Sequence, residues 1–121
     1  MAKLLLEEDE SPALRVHLAA EERAGRRAAA CWLSEAEIMR VAQRFDRPLS
    51  AAMEILNRFD IAGITRDVYQ RAGLLIGRDL RALDAMHIAV ALTIGADQFI
   101  SYDRRQSESA VAAGLSVLAP D

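Results

Sequence analysis

The chain has 121 residues, enough for one domain with a real core, and 52% of them are apolar, which excludes a disordered, solvated chain. Its net charge of −3 excludes a general attraction to nucleic acid, so a polyanionic substrate needs a local basic patch or bound cations. The single cysteine, Cys31, excludes an internal disulfide and a cysteine zinc cage. It sits among Ala28, Ala29, Ala30, Trp32 and Leu33 and reads as a small buried hydrophobe. Lys3 is the one lysine, and the arginines that make up the other basic residues suit bidentate phosphate contacts.

Residues 2–9 read as the tail of a helix that ends in the acidic run Glu7–Glu10, which is expected to be solvated. Ser11 and Pro12 signal the next helix, with Ser11 as N-cap, and Leu14, Val16 and Leu18 as its buried side. His17 is placed at the surface, and residues 21–27 in solvent or a turn. Residues 28–33 form a short apolar run that fits a buried parallel strand. Ser34 opens a helix whose stripe is Ile38, Val41, Ala42 and Phe45. Asp46-Arg47-Pro48 ends it, and Leu49, Ala52, Met53 and Leu56 mark another helix. Residues 60–64 are a weak strand. Thr65 caps a helix over 66–76 whose inner side is Val68, Ala72 and Leu75, and Gly77 ends that helix.

A helix over residues 80–92 carries Asp84 in its first turn, Gly95 breaks it, and a strand over 98–102 runs to Asp103. Residues 108–113 are helical, Gly114 stops them, and 115–118 are a last strand. Strands alternating with helices imply an α/β fold, a mainly parallel sheet covered on both faces, in one domain spanning 1–121. No segment reaches the roughly 18 apolar residues of a membrane span, and residues 1–7 are too short for a secretory signal. A cytoplasmic protein without a membrane partner is expected.

Three acids fall where elements meet: Glu37 after the first strand, Asp84 opening a helix, and Asp103 closing a strand. A helix–turn–strand hairpin brings the last two to one end, where ligands bind in open α/β sheets. Carboxylates there can hold a hard divalent cation such as Mg²⁺, which would assist phosphodiester hydrolysis. Each acid also has a structural reading: Ser34-x-x-Glu37 is a capping box, Asp84 a charge on a helix dipole, and Asp103 a turn residue. His87, one turn after Asp84, reads as a hydrogen-bonded core residue. Arg104 and Arg105 are placed to touch phosphate or to lie in solvent.

The run Leu80-x-x-Leu83-Asp84-Ala85-Met86-His87-Ile88-Ala89-x-Ala91-Leu92 is followed by Phe99-Ile100-Ser101-Tyr102-Asp103-Arg104-Arg105 and then Ala113-Gly114-Leu115-x-Val117-x-x-Pro120. Together these resemble the PIN domain of VapC-type toxins across essentially the whole chain. The resemblance implies a three-layer α/β/α fold and an endoribonuclease dependent on Mg²⁺ or Mn²⁺, the toxin of a type II VapBC system, with RNA as substrate. It also implies a VapB-type antitoxin and a homodimer. Glu37, Asp84 and Asp103 match the family's metal-binding, catalytic acids. Ser101 matches a small hydroxyl residue near the site, and Ser101, Arg104 and Arg105 are the substrate-binding candidates. Gln106 stands where Leu is common, so the helix after Asp103 is expected to sit differently.

The family opens with a central strand bearing a further Asp, and Met1–Glu8 matches the segment just after that Asp. The first strand and its carboxylate are therefore expected to be missing here, and Glu7, Glu8 and Asp9 fall too far along to replace it. Neighbouring strands would then expose unpaired edges. Either the natural start lies upstream, or the chain is a truncated module, weak or inactive as a nuclease, that still grips its antitoxin.

Overall fold

The computed structural model describes residues 1–121. The chain forms two compact units, one of Met1–Ala62 with Pro120–Asp121, the other of Gly63–Ala119. The first contains α1 (Ala2–Leu5), α2 (Ser11–Arg23), β1 (Ala29–Cys31), α3 (Trp32–Arg44), α4 (Leu49–Leu56) and β2 (Asp60–Ala62). The second contains α5 (Arg66–Gly73), α6 (Ala82–Thr93), β3 (Gln98–Ile100), α7 (Arg104–Ala112) and β4 (Ser116–Leu118). No helix is long and apolar enough to cross a membrane.

In the first unit, Ile38, Ala42, Ala52 and Leu56 make a buried cluster between α3 and α4, with Leu5, Met39, Ile55 and Ile61 packed against it. The i, i+4 spacing of Ile38 with Ala42, and of Ala52 with Leu56, puts each pair on one helix face. β1 and β2 pair in parallel, Ala30 opposite Ile61, with the two helices as the crossover that a parallel pair requires. Leu14 and Leu18 are buried on α2, but Val16 is 67% exposed, because its position lies off the i, i+4 face that those two share. Phe45, Leu49 and Met53 are exposed too, so those stripes are narrower than expected. His17 is half-buried rather than at the surface.

Ser11 and Pro12 do open a helix, yet the N-cap position falls on Glu10. The Ser11 hydroxyl serves the preceding turn instead: it accepts from the Glu8 N–H at 2.9 Å and donates to the Leu6 carbonyl at 3.0 Å. Glu7–Glu10 lie outside any helix, and Lys3 ties the run down through Glu8 and Glu10 at 2.6 and 2.9 Å. Those contacts raise the Lys3 ammonium and lower the Glu10 carboxyl from their ordinary values.

In the second unit α6 is the axis. Ala85, Met86, Ile88, Ala89, Val90 and Ala91 are all buried, as a helix apolar nearly all round demands. Ile88 and Ala91 form a core with Ala110 of α7 and Leu115, sealed by Leu80, Phe99 and Val117 among others. β3 and β4 pair in parallel, Phe99 opposite Val117, with α7 as crossover. α5 stops at Gly73 rather than at 76, leaving Leu74 and Ile76 exposed.

The mixed α/β composition with parallel pairing is the expected one. The single sheet is not found: the four strands form two separate pairs, one in each unit. Each strand is only three residues long, against expectations of up to six.

Candidate active site

Arg81 is the N-cap of α6, in extended backbone, so Asp84 falls in the first turn, where free N–H groups favour a carboxylate. After Thr93, Gly95 takes φ +69° and the Ala96 N–H bonds back to the Ala91 carbonyl at 3.0 Å, which turns the chain into β3. Beyond β3 the ladder extends by one bond, from the Ser101 N–H to the Leu118 carbonyl at 3.0 Å. Asp103 then caps α7, its Oδ1 accepting the Gln106 N–H at 2.8 Å.

Asp84 and Asp103 therefore line one cleft, of about 190 Å³, together with Asp79, Arg81, Arg104 and Arg105. Three carboxylates and three guanidiniums share it, so it can receive a cation and an anion side by side. Asp84 is half-buried and Asp103 exposed, and neither is taken up in an ion pair. Arg104 reaches Glu108 at 3.9 Å, a loose contact between exposed groups, so its guanidinium stays available.

Glu37 lies in the first unit, exposed on α3. Its capping box does not form: α3 begins at Trp32, two residues before Ser34, so Ser34 is buried inside the helix and no side chain caps it. The Glu37 carboxylate acts on the buried Met1 amino group, opposing the lowering of its pKa by burial. Ser101 is buried, and its hydroxyl donates to Gln106 Oε1 at 2.7 Å while accepting the Asp103 N–H at 3.2 Å. His87 is half-buried on α6 and interacts with its surroundings, and Cys31 is buried, as expected. No group of three or more His, Cys, Asp or Glu gathers as a metal-holding set.

Three residues of the cleft region were not evident from the sequence. Arg81 and Asp79 precede Asp84 by three and five positions in a charged stretch, and that proximity was the available signal. Gln106 stood out only as a polar residue where Leu is common, and its hydrogen-bond partners are set by the fold.

The donor set fits a divalent cation of the Mg²⁺ kind. Such an ion takes oxygen ligands, needs only one or two protein carboxylates, and keeps waters or substrate phosphate for the rest. Asp84 and Asp103 meet that requirement with hard oxygens in one polar cleft.

The PIN-domain family model matches residues 3–112. Ribonuclease VapC47 of Mycobacterium tuberculosis (strain CDC 1551 / Oshkosh) is 33% identical over 124 residues, covering 99% of this chain and 91% of that protein. Ribonuclease VapC46 of Mycobacterium tuberculosis (strain ATCC 25618 / H37Rv) is 34% identical over 123 residues, covering 99% and 92%. Ribonuclease VapC35 of the same strain is 33% identical over 125 residues, covering 99% and 91%. No solved structure gives a significant match.

Proposed function

The chain belongs to the PIN-domain family, with VapC ribonucleases among its relatives, and from that premise we propose that it is a divalent-cation-dependent endoribonuclease. In this reading it is the toxin of a VapBC pair, held in check by a VapB-type antitoxin, and both units belong to one PIN domain, since the family match runs across them. The observation that carries the reading is the meeting of Asp84 and Asp103 in a cleft that also holds Arg81, Arg104 and Arg105.

Asp84 and Asp103 would hold the Mg²⁺ or Mn²⁺ ion, and Glu37 matches a further metal-binding acid of the family. The Glu37 assignment rests on the resemblance of the stretch Ser34–Arg40 to the family's motif. Bound there, the cation supplies Lewis acidity towards water and the scissile phosphodiester. Arg104 and Arg105, joined by Arg81, hold the phosphate by charge-assisted hydrogen bonds and set its position against the acids. Ser101 acts from beneath: with its hydroxyl committed to Gln106 and Asp103, it supports the cap rather than touching RNA. The exposed Leu74 and Ile76 offer apolar surface for the antitoxin or a second copy.

RNA cleavage in Mg²⁺ by the wild-type chain and by Asp84→Asn tests the reading. Cleavage lost in the variant supports it, and equal cleavage in the two sinks the role of Asp84. A second reading, a non-catalytic module that binds the antitoxin, is favoured by one observation: the carboxylates lining the cleft do not gather into a metal-holding set of three or more. Antitoxin binding without any Mg²⁺-stimulated cleavage would establish it.

A further inference from the structure

Gln106 makes a closed circuit beneath the cleft. Its side-chain Nε2 donates to the backbone carbonyl of Asp84 at 3.3 Å, and its Oε1 accepts the Ser101 hydroxyl at 2.7 Å. Ser101 Oγ in turn accepts the Asp103 N–H at 3.2 Å, and the Gln106 N–H donates to Asp103 Oδ1 at 2.8 Å. One residue thus touches, through its side chain, the backbone of the first acid and the hydroxyl beneath the second, and, through its backbone N–H, the second carboxylate. The orientation of the carboxamide is fixed by its partners, since a carbonyl oxygen needs a donor and a hydroxyl that already accepts an N–H has its proton to give. The circuit also spends Asp103 Oδ1 on the cap, which leaves Oδ2 as the oxygen to present to a ligand.

We propose that Gln106 is the positioning residue of this site, tying the first turn of α6 to the cap of α7 so that Asp84 and Asp103 are presented to one cation together. The proposal rests on the reading of those two acids as cation ligands. A leucine here would fill the space yet supply neither end of the tie. The two acids belong to separate helices, and a hydrogen-bonded partner behind each ligand is what fixes ligand orientation at a metal centre.

The test uses the full chain as wild type, Gln106→Leu, Ser101→Ala and the double variant, with Mn²⁺ as the calorimetric probe and RNA cleavage as the assay. Each single change is expected to weaken Mn²⁺ binding about tenfold and to lower kcat, with the KM for RNA within about twofold of wild type. The double variant is expected to lose little more than either single one, because both break the same circuit. Amide exchange at Asp103 and Gln106 is expected to speed up in Gln106→Leu, while circular dichroism stays that of the wild type. Unchanged Mn²⁺ affinity and kcat in a folded Gln106→Leu would overturn the proposal. So would a rise confined to KM, which would make Gln106 a substrate contact, or unchanged amide exchange. A wild-type chain that binds no Mn²⁺ would remove the cation reading instead, and the exchange comparison would then decide the tie on its own.

Discussion

Asp103 has two duties that substitution can separate. Its Oδ1 caps α7, and its charge faces the cleft shared with Asp84. Asparagine caps about as well as aspartate, so Asp103→Asn is expected to hold its stability to within about 0.5 kcal/mol, whereas Asp103→Ala loses about 1 kcal/mol. Both remove the charge, and both are expected to lower cleavage by about a hundredfold or more, the upper end of what lost supporting partners cost. Urea titrations run beside cleavage assays read the two duties independently. That Asp84 and Asp103 meet at one end was legible in the sequence, because each stands where a turn signal meets an apolar run. Gln106 was not, since its worth depends on the carbonyl of a residue 22 positions away. Glu37 illustrates the reverse: a capping box is written at Ser34–Glu37, but the helix starts earlier and leaves it unused.

At the scale of elements, the loop between α5 and α6 is held by Gly77. Its φ is +146°, and a Cβ there would overlap the hydroxyl of buried Ser109 on α7 and crowd Leu80. Gly77→Ala is therefore expected to cost about 1–3 kcal/mol through backbone strain alone, with the overlap added, read as a lowered urea midpoint. In the sequence this glycine is a helix stop, and the fold uses it for close approach. Ile88, fully buried on α6, gives a second check: Ile88→Ala is expected to cost about 2–5 kcal/mol. The N-terminal clamp gives a pH signature. Glu10 is held below its ordinary carboxyl value by Lys3, so its contribution is present above the ordinary range and is lost as pH falls through the lowered value. Lys3→Met is thus expected to melt lower than wild type at pH 7 and to converge with it once the pH has fallen through the lowered Glu10 value. The order of helices and strands was legible throughout, since periodicity and turn residues act locally. Strand lengths were not: an apolar run such as 28–33 does not show that pairing stops at Cys31 and a helix begins at Trp32.

For the whole molecule, the fold class was legible and the joining of strands was not. Three-residue strands carry too little alternation to specify partners, and in two-stranded sheets every strand is an edge. Charge acts at this scale as well. With a net charge of −3, the proposed nuclease reading requires RNA to be held by the local arginines of the cleft rather than by a general field. Three phosphate contacts predict a log–log salt slope for RNA binding of about −2, and Arg104→Ala should reduce its size by about 0.7. Filter binding across a salt series measures both. The central claim is that Asp84 and Asp103 hold a cation on which RNA cleavage depends. Its most direct test strips the wild-type chain with EDTA and then follows cleavage of RNA as Mg²⁺ or Mn²⁺ is added back, beside Asp84→Asn. No cleavage is expected in the stripped chain, recovery with the added ion, and no recovery in the variant. Cleavage that persists in EDTA, or that Asp84→Asn recovers fully, would contradict the claim.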